Sequence, residues 1–356
     1  MPIKSENRIQ WIDALRGFTM ILVVFSHVEL FSFSFCSSFI NEIFMSFRMP
    51  LFFYISGFIG YKANVEWTGK MWWTMSRKKL LIQLVPTFVF GLLYTYTYLG
   101  QDLVFFISDF NKAGYWFTIV LLEMFLLLYS ANFVLYKFNK IESKSNRTFF
   151  LLLIVGCLYL VRLIPEHIPS LNGLYNILTL HYTTAYFFYF ALGYICSMYK
   201  EKFTAILEKK SFVIVAIFLF VLSFYVHRIY ILPHLGDSVT ISLLGMVAPL
   251  IIGASGLLIV FNTFRVYSEA FSSDTQVGRI LQYIGKRTLD IYLLHYFFLP
   301  YIPQIGRMLG QGNNVALELL LGGTISLLVI GLCMVVSNVL RTSPILAKYL
   351  FGVKTK

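Results

Sequence analysis

The chain has 356 residues, of which 58% are hydrophobic, 18% aromatic and only 13% charged. With a mean hydropathy of +0.73 it has too few polar side chains to cover a water-soluble fold. That excludes a soluble enzyme, and the formal net charge of +12 is read below as a topology signal rather than a nucleic-acid footprint.

Apolar runs of about 18 to 25 residues recur along the whole length, the span a helix needs to cross a bilayer core of roughly 30 Å. Stretches such as FVIVAIFLFVLSFY are apolar on every face, whereas a transmembrane barrel would alternate in polarity over segments of about ten residues. The expected fold class is therefore all-α, a polytopic membrane helical bundle. Ten crossings are expected, at roughly 12–32, 41–61, 78–99, 115–136, 148–164, 178–199, 211–232, 239–262, 280–303 and 316–340. The longest polar connection, near 263–279, is too short to bury a core, so residues 1–356 are read as a single transmembrane domain.

Cytoplasmic flanks of a membrane chain are enriched in Lys and Arg. The N-terminal tail, the even-numbered connections and the C-terminal tail together carry 23 of the 29 basic residues; the other side carries Lys112, Arg228 and Arg307. Both termini are expected in the cytoplasm. Arg16, Arg48 and Arg162 fall inside or at the edge of the apolar runs. The first run is too long, and too acidic at its start, for a cleaved signal. Cys36, Cys157, Cys196 and Cys333 show no metal or disulfide spacing, so no metal site is expected.

Helix 1 opens with DALRG and reaches His27. Arg16 and His27 are eleven residues apart, which at 100° per residue puts them nearly on one face, about 16 Å apart along the axis. Asp13 stands three residues before Arg16, so an ion pair is the plain structural reading of both, and an interhelical hydrogen bond that of His27. Against it, ionisable groups within a membrane usually line a cavity. The second run, FRMPLFFYISGF, carries Arg48 beside Pro50, where a break in the helix is expected. Arg48 is a candidate anion or oxyanion ligand, or else a partner of Glu42. The third opens on the basic run RKKLLIQLVP, with Arg77, Lys78 and Lys79. The fourth begins YWF, with Trp116, and holds Glu123 two turns in; it needs a basic partner or orients an imidazole. The ninth rises through GKRTLDIYLLH, with Lys286, Arg287 and Asp290 at the inner boundary and His295 deeper. His167, His181, His227 and His234 lie near the outer boundary without informative spacing.

These residues resemble the integral-membrane acyltransferase 3 family. The resemblance rests on DALRG with Arg16 and His27 bracketing ten residues, MPLFFYISGF at 49–58, RKKLLIQLVP at 77–86, WF at 116–117, LGY at 192–194 and IGKRTLDIYLLH at 284–295. The matches fall in order over roughly residues 9 to 300. The resemblance implies a core of ten helices and transfer of an acyl group, usually acetyl from acetyl-CoA, to a hydroxyl of a cell-envelope carbohydrate. That makes acyl-CoA a co-substrate rather than a resident cofactor. An envelope polysaccharide or lipid-linked sugar is the acceptor, and the inner (plasma) membrane the location. On this reading Arg16 and Asp13, with the rim of Arg77, Lys78, Lys79, Lys286 and Arg287, take the donor. His27 serves as general base or transient acyl acceptor, Arg48 faces the developing oxyanion and Glu123 orients His27. Trp116 and His295 line the substrate cavity.

Two other classes compete. A proton-coupled transporter or flippase for a glycan precursor would use Arg16, His27, Glu123 and His295 as a pathway, yet no inverted repeat is visible. A scaffold of an envelope-polymer complex would tolerate loss of His27. A succinyl donor is a further alternative within the enzyme class.

Overall fold

The computed structural model describes residues 9–34, 38–63, 65–139, 141, 143–162, 164–312 and 314–352. Cys36 and the basic residues Lys4, Arg8, Lys140, Lys354 and Lys356 lie outside the described residues. Within them every regular element is helical. The principal helices are α1 (Gln10–His27), α2 (Phe39–Gly60), α3 (Gly69–Thr97), α4 (Trp116–Lys137), α5 (Lys144–Val161), α6 (Leu180–Met198), α7 (Lys210–Val226), α8 (Val239–Val266), α9 (Gln276–Lys286), α10 (Thr288–Leu294) and α11 (Val315–Leu340). Short helices such as Leu103–Ser108, Pro303–Gly312 and Pro344–Phe351 fill the connections and the tail.

Among the described residues, eight helices are long and apolar enough to cross a membrane. They coincide with eight of the ten expected runs. The other two runs take different forms. Residues 178–199 form α6, whose tyrosines and threonines dilute its apolar character. Residues 280–303 do not form one helix: α9 stops at Arg287, whose backbone leaves the helical region (φ −117°, ψ 17°), and α10 then gives way to a 3₁₀ turn at His295–Phe298. The expected break at Pro50 does not occur, since α2 runs through it. Proline there removes one backbone donor, and a helix packed on its neighbours absorbs that loss.

Two compact units emerge, each assembled from separated segments. The first contains residues 1–55, 199–288 and 299–331, the second residues 56–198, 289–298 and 332–356. In the first, α1 lies against α9 with backbone touching backbone. A Cβ on Gly17 would sit 2.0 Å from the Leu281 carbonyl oxygen, and one on Gly285 would sit 1.8 Å from that of Asp13. Small residues allow this approach, and dispersion between the closely spaced chains stabilises it in lipid, where apolar burial alone gives no preference for helix over lipid. The second unit repeats the device, with Gly57 1.9 Å from the Phe190 carbonyl by the same construction and 3.1 Å from the Tyr194 amide.

The charged anchors are likewise internal to each unit. In the second, buried Asp290 accepts a two-pronged contact from Arg341 (2.8 and 2.9 Å) and a hydroxyl from Ser337 (2.5 Å). Lys112, 3% exposed, spends all three ammonium protons on the carbonyls of Ile107, Asp109 and Asn176. This pins the turn that leads into α4. Burial holds its pKa below the ordinary lysine value, against the opposing pull of Asp109 and Glu123.

Candidate functional site

The first unit brings two of the sequence motifs into one cluster. The Gly17–Gly285 contact draws the start of α1 against the end of α9. Arg16 there donates to the Thr288 hydroxyl at 2.9 Å and faces the Asp13 carboxylate at 3.7 Å. The ion pair expected from the spacing is therefore present. It leaves Arg16 about a quarter exposed, so the guanidinium is oriented but not sealed. Lys286 is exposed on the same turn, and Arg287, half-buried, lies over the Tyr283 ring at 5.6 Å. Asp13, Arg16, Lys286, Arg287 and Thr288 thus form one basic, hydroxyl-bearing end of the unit. Thr288 was within the motif but not singled out from the sequence; only the pairing of the two glycines reveals it.

Eleven residues along α1, His27 is half-buried and stands edge to face with Phe31 at 5.7 Å. It is the last α-helical residue, because the helix widens at once into a π turn over Val28–Ser32, with Phe33 N–H bonding the Val28 carbonyl at 3.0 Å. Such turns inside helices occur often at functional positions. Arg48 reaches this region from α2 and donates to the Val23 carbonyl at 3.2 Å. Val23 is one helical turn before His27, so a buried guanidinium is anchored one turn from the imidazole. The alternative partner of Arg48, Glu42, instead pairs with Arg228 at 3.0 Å.

The remaining expected residues belong to the second unit. Arg77 and Lys78 are exposed on α3, whereas the Lys79 ammonium lies 3.5 Å over the Phe125 ring, directed at α4. Glu123 accepts hydroxyl protons from Thr179, at 3.2 Å, and from Thr183. Both threonines stand at the start of α6, and among the described residues the hydrogen-bond partners of Glu123 are these hydroxyls rather than the basic side chain expected from the sequence. Trp116 stacks on Tyr182 at 3.9 Å and on Tyr186 at 5.9 Å. His295 is wholly buried, its Nδ1 directed at the Ile291 and Tyr292 carbonyls, 3.1 and 2.8 Å away. Tyr115 donates to the Leu293 carbonyl, and Tyr292 accepts from the Phe117 amide while donating to the Gly114 carbonyl. The YWF and DIYLLH motifs are thereby interlocked.

Asp13, Arg16, Lys286, Arg287, Arg48 and His27 thus share one unit, and Arg77, Lys78, Lys79, Trp116, Glu123 and His295 the other. Among the described residues no group of three or more His, Cys, Asp or Glu side chains has a metal-binding arrangement.

A family model, Acyl_transf_3, described as an acyltransferase domain, matches residues 9–337. The chain belongs to the acyltransferase 3 family. It is a multi-pass membrane acyltransferase, and the motif pairs that meet within each unit are those on which the resemblance rests. Comparison with curated proteins and with solved structures returned no match.

Proposed function

We propose that this acyltransferase resides in the inner (plasma) membrane and moves an acyl group, acetyl in the first instance, from cytoplasmic acyl-CoA to a hydroxyl of a cell-envelope carbohydrate, with His27 at the reaction centre. The observation that carries the proposal is the anchoring of Arg48 on the Val23 carbonyl, one turn from His27. Arg48 is bonded to the helical turn before His27, in a chain of the acyltransferase 3 family, and that supports this reading.

The chemistry asked of these residues is modest. The acceptor oxygen attacks the thioester carbonyl, its proton passes to His27, the C–S bond breaks, and the proton is returned to the departing thiolate. In the two-step variant His27 itself takes the acyl group and yields it to the acceptor. The Arg48 guanidinium is the counter-charge for the oxyanion in either variant. The Arg16 end takes the phosphate-bearing donor, with Asp13 and Thr288 fixing the guanidinium. On the second unit Arg77 and Lys78 supply exposed positive charge of their own, and Lys79, Trp116, Glu123 and His295 are proposed to serve the acceptor or the proton.

The test is transfer of label from radiolabelled acetyl-CoA into the envelope glycan fraction of membranes. Wild type and His27→Ala are compared at matched membrane levels. Label in wild type that is lost in the variant supports the proposal. Equal label in both removes His27 from the chemistry, and a wild type that hydrolyses and transfers no acyl-CoA overturns the choice of donor.

A further inference from the structure

Glu29 and Glu318, both in the first unit, have no part in the chemistry above. Glu29 lies on the π turn that follows His27 and is wholly buried. Among the described residues, neither of its carboxyl oxygens meets a hydrogen-bond donor. Glu318, on the first turn of α11, is 6% exposed and accepts the hydroxyl of Ser38. Glu29 is aimed at α11: a Cβ on Gly322, one turn beyond Glu318, would come within 3.0 Å of Glu29 Oε1 and 2.6 Å of the Phe25 ring. The absence of a side chain at Gly322 makes the space that the carboxyl occupies.

An ionised carboxylate that is wholly buried without a donor, with a second buried carboxylate on the helix it meets, is strongly disfavoured inside a membrane without a neutralising charge. The surrounding charged groups are otherwise engaged or directed elsewhere. On α1, His27 packs its ring on Phe31. On α2, Arg48 is given to the Val23 carbonyl and Glu42 to Arg228. Arg307, on the helix Pro303–Gly312, is exposed. A metal cation of the oxygen-binding kind needs a shell of six or more ligands and room for it. A proton needs neither, and two neighbouring carboxyls hold one readily because the pair resists double ionisation.

We propose that Glu29 is a proton-binding element of the membrane domain: it takes a proton as a neutral buried acid, while Glu318, one turn from the Gly322 contact, keeps its hydrogen bond from Ser38. The π turn of α1 can then lie against the first turns of α11. The proton exchanges with water when these elements part, leaving two carboxylates that repel each other. The site is thus a proton-binding element beside the reaction centre. It rests on the burial of Glu29, its missing donors and its approach to α11 beside Glu318, and not on the acyl-transfer reading, so failure of the transfer assay leaves it standing.

Infrared spectroscopy of the full-length protein in detergent tests it directly, through the C=O stretch of a protonated carboxyl group. Wild type is expected to show such a band at neutral pH, weakening as pH rises. The band is expected to be missing from Glu29→Gln, and in Glu318→Gln to persist but titrate at lower pH, because the neighbouring negative charge is gone. Gln mimics the protonated acid in shape, so the unfolding temperature of Glu29→Gln is expected to depend less on alkaline pH than that of wild type. A wild-type spectrum without a titrating band overturns the proposal even if the variants do not fold. So does a Glu29→Gln spectrum identical to that of wild type in this region. A wild-type unfolding temperature raised by calcium or sodium over choline, with the rise abolished in Glu29→Gln, also overturns it by showing a metal ion at the site.

Discussion

Individual side chains explain why helix 1 retains charge in an apolar run. Asp13 and Thr288 hold Arg16 at one end of the helix, while Val23 holds the arginine that α2 delivers toward the other. Thr288→Val preserves shape and removes one charge-assisted hydrogen bond, worth about 1 kcal/mol or somewhat more. The expected outcome is a KM for acyl-CoA raised roughly tenfold with kcat nearly unchanged. Steady-state kinetics in proteoliposomes decide this, and an equal fall in kcat would place Thr288 in the chemistry instead. Lys112 tests a structural role. Lys112→Met leaves three buried carbonyls without their donor, so the unfolding temperature is expected to fall by several degrees. Arg16 and His27 were legible in the sequence because a charge in an apolar run is conspicuous and their eleven-residue spacing implies a shared face. Thr288 was not, since a threonine at a helix start is ordinary until its partner is known. Glu29 sits in that same first run and is as conspicuous as Arg16, but its significance depends on Glu318, almost three hundred residues away.

At the scale of elements, glycines at crossing points convert sequence motifs into contacts. DALRG meets the IGKRT motif through Gly17 and Gly285, and the ISGF stretch meets LGY through Gly57. Gly17→Val places branched carbons where backbone oxygen already stands, and α1 and α9 must separate. The expected loss exceeds about 3 kcal/mol, enough to abolish a monodisperse peak in detergent size-exclusion chromatography. Gly323→Ala, where a Cβ meets nothing within 4 Å, is the matched control and is expected to behave as wild type. Asp290→Asn tests the other kind of joint. It leaves Arg341 facing a neutral amide at a position where the carboxylate is 2% exposed, with an expected loss of roughly 3 kcal/mol by thermal unfolding. Eight of the expected runs form helices long and apolar enough to cross, and they were readable from hydropathy because lipid imposes a length. The break at Arg287 was not, because the apolar pattern continues through α10, and the continuity of α2 through Pro50 depends on packing that a local rule does not include.

The whole molecule turns on the sidedness of its connections, and α6 is the helix that tests it. It lies outside the set of long, strongly apolar helices, yet it separates His167 and the residues around Asn172 from the cluster Lys200, Lys202, Lys209 and Lys210. If α6 crosses, those four lysines face the cytoplasm with the other basic connections, as the charge distribution demands. If it does not, every later connection inverts, and Arg265, Arg279, Lys286 and Arg287 face outward, away from any cytoplasmic donor. Single cysteines on a cysteine-free background separate the two cases. With a membrane-impermeant maleimide added to intact cells, Gln101 and Asp237 replaced by cysteine are expected to react. Phe138, Lys209 and Tyr267 are expected to react only after permeabilisation. Reaction of the Lys209 position in intact cells would mean that α6 does not cross. That would set Lys286 and Arg287 on the opposite side from the start of α1, against the Arg16–Thr288 and Gly17–Gly285 contacts, and would remove them from the proposed donor site.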